Sequence, residues 1–272
     1  MTDDRPNLDL PAYLRRIGHD GPLEPTLSVL ESLHTRHATT IPFENFDIQL
    51  GRPVRIDLES LQDKIVRGRR GGYCFEQNTL FAAVLRAIGF RVTTLAARVR
   101  YLNTGLPPRT HMILKVDLPE GAFLADVGFG GHGLTSPLKL VMNEPRTSTF
   151  DTYRLREEGH FIVLQALIAG DFNDLYAFTL EEHYPVDYEV ANHYTSTHPT
   201  SRFVQNIMAT RTRPDARYVL LNRELGVRRG GVTERRTLDD DELIEALRRH
   251  FDLDFPAGTR FQCLARPKGD KQ

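Results

Sequence analysis

The sequence predicts an α+β chain of several parts: a helical segment over 1–88, an antiparallel β-sheet or barrel over 89–197, and a mixed α/β tail over 198–272. Three observations carry that prediction. Apolar residues recur at helical spacing up to Ile88. Beyond Gly89 the apolar stretches become short and are divided by Gly, Pro, Asn and Asp. A final amphipathic stretch then reads as a helix. The 272 residues exceed one small core and suit one large domain or two to three packed subdomains.

Taken in order, Thr26 to His34 places Leu27, Val29, Leu30 and Leu33 on a helical pattern, and Leu58 to Val66 repeats it with Leu61, Ile65 and Val66. The clearest helix begins near Cys74: Leu80, Phe81, Val84, Leu85 and Ile88 share one face, and Gly89 is the expected stop. Short strands follow at 91–99, 110–116, 121–127, 153–156, 161–168 and 175–180, the pattern of a meander or barrel. After His198 come stretches at 202–210, 218–222 and 232–237. The helix from Asp239 to Phe251 has acids in its first turn, an apolar stripe of Leu243, Ile244, Leu247 and Phe251, and basic residues at its end.

Composition narrows the function. Thirty-five basic residues against 36 acidic ones give a net charge of −1, so the basic surplus of a nucleic-acid or anionic-membrane binder is missing. No apolar run reaches the about 18 residues that span a bilayer, and the N-terminus has no apolar signal core. Two cysteines build no disulfide framework, and no Cys/His cluster has zinc spacing. The expectation is a cytoplasmic protein with free thiols, no metal, no nucleic acid and no membrane partner.

The most informative segment is Arg69-Arg70-Gly71-Gly72-Tyr73-Cys74-Phe75-Glu76-Gln77-Asn78. Two glycines permit a tight turn and close approach of a ligand. The thiol then opens a helix, where unpaired N–H groups and the helix dipole favour the thiolate, the nucleophilic form. The same N–H groups suit an oxyanion in acyl transfer. Cys263, between Phe261 and Leu264, reads as core filler.

A cysteine nucleophile needs a histidine to take its proton and a third group to orient the ring. His111 opens the apolar strand 110–116, Leu118-Pro119-Glu120-Gly121 is a turn, and Ala122 to Val127 returns. With Pro119 and Glu120 at the turn centre, Leu118 faces Gly121, and Ile113 lies opposite Asp126. Asp126 then shares a face with His111 as its diagonal neighbour, ~7–8 Å away at the backbone. A three-residue turn would put the two on opposite faces. An acid inside an apolar strand is itself unusual, because an unpaired buried carboxylate is costly. A Cys74–His111–Asp126 triad is the expectation.

Gly128-Phe129-Gly130-Gly131-His132-Gly133 satisfies the dinucleotide pattern G-x-G-x-x-G in letters only. The fingerprint requires the last glycine to open a helix, and Leu134-Thr135-Ser136-Pro137 follows instead. It reads as a glycine-rich loop whose N–H groups could lie against a ligand's backbone or phosphates.

With these residues in place, the chain resembles an arylamine N-acetyltransferase. The resemblance runs through Ile41-Pro42-Phe43-Glu44-Asn45-Phe46, the cysteine block, Thr110-His111-Met112, Asp126-Val127-Gly128-Phe129-Gly130, and Tyr194 to Phe203. It implies an N-terminal helical bundle, a central antiparallel β-barrel and a C-terminal α/β lid, with a transglutaminase-like Cys-His-Asp arrangement. It implies a ping-pong reaction in which Cys74 takes acetyl from acetyl-CoA and passes it to an arylamine, hydrazine or arylhydroxylamine. Phe43, Phe129 and Phe203 would line the acceptor pocket. Thr110, Gly128, Gly130 and Gly131 would meet CoA, and Glu44 would pair with an arginine of the Arg69-Arg70 run. A related amide synthase, a cysteine hydrolase, and a non-catalytic CoA-binding protein share parts of this pattern.

Overall fold

The computed structural model describes residues 8–265. Its first part holds α1 (Leu10–Ile17), α2 (Leu27–Thr40), the two-residue strand β1 (Phe43–Glu44), α3 (Phe46–Gln49) and α4 (Leu58–Leu61). A π-helical turn (Gln62–Arg67) and α5 (Cys74–Ile88) follow. Helix α5 runs between the residues the apolar pattern gives. Gly89 ends it at φ 107°, where its N–H bonds back to Arg86 and Leu85 carbonyls.

An eight-stranded antiparallel sheet follows, from β2 (Arg91–Val99), β3 (Arg109–Leu118), β4 (Gly121–Ala125), β5 (Leu138–Lys139), β6 (Arg146–Thr147), β7 (Thr152–Glu158), β8 (Phe161–Ile168) and β9 (Asp171–Glu182). Their order is β5-β4-β3-β2-β9-β8-β7-β6. A bridge between Met142, just past β5, and Leu155 of β7 brings the two ends together, so the sheet is barrel-like and nearly closed. Its interior is filled by Leu95, Ile113, Leu124, Leu155, Leu164 and Tyr176, among others.

Then come α6 (Pro185–Thr197) and α7 (Arg202–Gln205). They are followed by β10 (Met208–Thr212), β11 (Arg217–Leu221), β12 (Glu224–Arg229), β13 (Val232–Thr237), α8 (Asp240–Phe251) and α9 (Gln262–Ala265). The second sheet is ordered β1-β10-β11-β12-β13, so Phe43 and Glu44 pair with Thr210 and Ala209 across most of the chain. Helix α8 packs Leu243, Leu247 and Phe251 into the apolar cluster of that sheet. Cys263 is half-buried at the rim of this cluster rather than inside it, with its N–H on Gln49 Oε1 at 3.0 Å.

Helix α6 and strand β12 lie outside the apolar pattern, as do the two-residue strands β5 and β6 and the short α9, while β1 is a strand inside the segment read as helical. Helix α6 exposes Val186 and Val190 and buries Tyr188, Asn192 and Thr195, so its inner face is largely polar and shows no apolar stripe. Strand β12 carries Gly226 and two arginines, which conceal it. Among the described residues, no helix is long and apolar enough to cross a membrane.

Candidate active site

The loop before α5 is shaped by its glycines. A Cβ on Gly71 would sit 1.9 Å from the Pro42 carbonyl oxygen, and one on Gly72 would sit 2.8 Å from Glu76 Cβ. Only glycine lets this backbone lie against β1, where Gly72 N donates to Pro42 O and Glu44 N donates to Gly72 O at 3.0 Å. Charges fix the loop from behind. Arg70 Nε donates to the buried Glu44 at 2.9 Å, the pairing the resemblance implies. Lys64 Nζ bridges Asp47 at 2.6 Å and Glu76 at 2.7 Å. Glu76 in turn accepts from Tyr73 N, capping α5 just before the cysteine. Tyr73 packs edge-on to Phe75 and Phe203.

Cys74 is the first residue of α5, buried, with Sγ 3.6 Å from the Thr110 carbonyl oxygen. The β3–β4 hairpin has the register expected from a two-residue turn: Leu118 pairs with Gly121 and Leu114 with Ala125. His111 and Asp126 therefore share a face, and His111 Nε2 lies 2.7 Å from Asp126 Oδ2. Nδ1 is left as the ring nitrogen not engaged by Asp126, and the Cys74 side chain is among the groups that favour the protonated ring. Imidazole and carboxylate are thus joined, and sulfur and imidazole line the same cavity.

Burial alone would lower the pKa of His111, but the Asp126 carboxylate outweighs it and, with Cys74, holds the ring at about 10. Burial likewise opposes the charge on Asp126. The facing imidazolium and hydrogen bonds from Asn78 and Gly128 N hold it below the usual carboxylate range. The His111 ring is flanked by Phe129 at 5.2 Å and Tyr176 at 4.9 Å between centroids.

Cys74 and His111 open onto a cavity of about 940 Å³. Phe43, Phe129 and Phe203 all line it, as do Thr110, Gly128 and Gly131. Asp126 lies behind His111, outside the cavity wall, beside a smaller void of about 30 Å³ that Gly130 also borders. Gly130 sits under the Phe43 ring, 2.9 Å from where its Cβ would be. No helix follows Gly133, as the sequence indicated. The loop's N–H groups are partly used within the protein: Gly128 N on Asp126, Gly131 N on Thr210 Oγ1 and Gly133 N on Gly130 O. Three glycines of the loop thereby contribute shape before they contribute donors.

Sequence reasoning did not reach Arg217 and Arg228, which line the far wall and share the buried Asp151. Their partner is more than sixty residues upstream in a loop, so no local pattern marks them. Asn78 was also missed as a site residue, although it lies one helical turn after Cys74 on the same face. Among the described residues no group of three or more His, Cys, Asp or Glu is arranged to hold a metal ion.

Known proteins resemble this chain along most of its length. A profile of the N-acetyltransferase family matches residues 26–259. Arylamine N-acetyltransferase of Mycobacterium tuberculosis is 44% identical over 253 residues, 90% of this chain and 89% of that protein. A Salmonella typhimurium protein named arylamine N-acetyltransferase / N-hydroxyarylamine O-acetyltransferase is 40% identical over 208 residues, 76% of this chain and 74% of its own length. Among solved structures, Mycobacterium marinum arylamine N-acetyltransferase in complex with CoA superposes with a TM-score of 0.85 at 40% identity. That match covers 90% of this chain and 92% of the other. Matched by the family profile and by these relatives along most of its length, the chain belongs to the arylamine N-acetyltransferase family of enzymes.

Proposed function

We propose that the protein transfers acetyl from acetyl-CoA to the nitrogen of an arylamine or hydrazine, or to an arylhydroxylamine, through an acetyl-cysteine intermediate. The observation that supports this most is that Cys74 and His111 line one cavity with three phenylalanines while Asp126 holds the ring from behind at 2.7 Å. The CoA complex of the M. marinum relative supports the donor.

In the first half-reaction the Cys74 sulfur, its proton held by His111, attacks the thioester carbonyl. The bond from that carbon to the CoA sulfur breaks, and the departing thiolate takes the proton from His111. In the second half-reaction the acceptor nitrogen attacks the acetyl-cysteine and gives up a proton to His111 as the carbon–Sγ bond breaks. Asp126 keeps the ring oriented and stabilises its protonated form. Phe129 and Phe203 offer flat apolar faces to an aromatic acceptor, and Phe43 closes the pocket against the glycine loop. Thr110, Gly128 and Gly131 form the surface along which the pantetheine would lie, and Gly130 supports that loop from beneath the Phe43 ring.

We propose further that the chain divides at 88/89 and 197/198 into a helical part carrying the nucleophile, a barrel carrying His111 and Asp126, and an α/β lid. The confinement of β2 through β9 to one sheet supports this division.

The test is to mix enzyme, acetyl-CoA and an arylhydrazine, following free thiol. Release of CoA beyond one equivalent that requires the hydrazine, and is abolished in Cys74→Ala, is expected. Release indifferent to the hydrazine would mark a hydrolase, and unchanged acetylation in Cys74→Ala would remove the assignment. A preference for long acyl donors over acetyl would mark an amide synthase instead.

A further inference from the structure

Asn78 stands one turn past Cys74 on α5 and is wholly buried. Its side chain reaches three places on the barrel. Nδ2 donates to the Met112 carbonyl at 2.7 Å and to Asp126 Oδ1 at 2.9 Å, and Oδ1 accepts from Val127 N at 3.0 Å. Elementary chemistry fixes that orientation. The Val127 N–H can only donate, so the atom facing it is the amide oxygen, and the two amide hydrogens are left for the carbonyl and the carboxylate. Asp126 spends its oxygens in a matching way. Oδ2 faces His111 Nε2, and Oδ1 accepts from Asn78 and from Gly128 N at 2.9 Å. One neutral side chain thus joins the nucleophile's helix to the strand carrying the imidazole and to the carboxylate behind it.

We propose that Asn78 is a positioning residue of the acyl-transfer centre: its amide holds Asp126 against the far nitrogen of His111 and ties that carboxylate to the helix that carries the sulfur. It touches no substrate and acts through Asp126, so the inference rests on the Cys74–His111–Asp126 reading. Substitutions separate the possibilities by chemistry. Asn78→Ala removes all three bonds at once. Asn78→Asp has nearly the same shape but turns an oxygen toward both Asp126 and the Met112 carbonyl, and only a proton on the new carboxyl restores a donor. Such a variant regains function on acidification, which a merely structural defect does not do.

The experiment uses the full chain and measures the rate of Cys74 alkylation by iodoacetamide across pH, with the acetyl-enzyme burst from p-nitrophenyl acetate as a second readout. Folding is followed by circular dichroism. Folded Asn78→Ala is expected to lose about 10- to 100-fold in both rates at neutral pH and to shift the pH of half-maximal reactivity. Asn78→Asp is expected to fall further behind the parent at pH 8 than at pH 5.5. Folded variants whose pH profiles superimpose on the parent's overturn the inference. Should neither variant fold, nitrogen-15 spectra of the parent decide. Slowly exchanging Asn78 amide protons that shift when Cys74 is alkylated uphold the role, and freely exchanging or unmoved ones overturn it. A parent whose Cys74 is itself inert would instead refute the triad reading, which keeps the two failures apart.

Discussion

His111 and the pair His34 and His37 occupy equally dry surroundings and carry opposite charge states. All three are buried, and both His34 and His111 hydrogen-bond Asp126, one at its backbone N–H and the other at its carboxylate. Burial drives His34 down to about 4 and His37 to about 3, so both are neutral at pH 7. His37 shows how a neutral ring is held. Gln77 Nε2 donates to Gly72 O, so Gln77 Oε1 faces His37 and accepts from its Nε2–H, leaving Nδ1 to accept from Tyr13 Oη. In His111 the carboxylate reverses the outcome. Burial amplifies whatever a ring faces, so the facing group decides the sign.

The largest expected effect comes from removing the difference. Asp126→Asn leaves His111 facing an amide, as His37 does, and acetyl-enzyme formation should fall about 10⁴-fold. Single-turnover kinetics with an activated acetyl ester measures it, and a loss below about tenfold breaks the comparison.

Next is the pH dependence of stability. The unfolded chain's histidines titrate near 6.5, so below that pH the unfolded state binds protons that folded His34 and His37 refuse. Stability should therefore fall as pH drops from 6.5 toward 4, by on the order of 3 kcal/mol for each ring at the limit. Urea denaturation at pH 7, 5.5 and 4.5 tests this, with His37→Gln expected to flatten the slope. His111 works in the opposite sense. Its contribution is fully present below 6.5 and is lost as pH rises through about 10.

Gly128→Ala is expected to have a smaller effect. Its Cβ would lie 2.7 Å from Cys74 Cα and 2.9 Å from Asn78 Nδ2, at a position whose own N–H donates to Asp126. Strain of about 1–3 kcal/mol is expected in a melting curve, with the acetyl-transfer rate reduced in step. The smallest change is a control far from every histidine named. Asp239 caps α8 by accepting from Glu242 N at 2.8 Å. Asp239→Ala should cost about 1 kcal/mol and leave the pH–rate profile in place.

Much of this arrangement is legible locally. The apolar stripe of α5, its glycine stop and the acidic start of α8 are one-dimensional signals, and the structure has them within a residue. The hairpin register follows from one turn length, and with it the meeting of His111 and Asp126. What escaped depends on distance in the chain. Helix α6 buries Asn192 and Thr195 beside Tyr188, so its inner face carries no apolar stripe. The Asp151 pairing with Arg217 and Arg228 and the three bonds of Asn78 join segments far apart in sequence.

Strand β1 is only two residues long, yet it pairs with β10 on one side while Phe43 bridges Gly72 on the other. The turn that presents the sulfur is therefore moored to a strand made some 130 residues later in synthesis. A ribosome that has delivered the chain as far as α7 has already supplied thiol, imidazole and carboxylate, and has still not built the enzyme. The pairing of Phe43 and Glu44 with Thr210 and Ala209 can form only after that point, so this mooring of the catalytic turn belongs to the last part of the chain to be made.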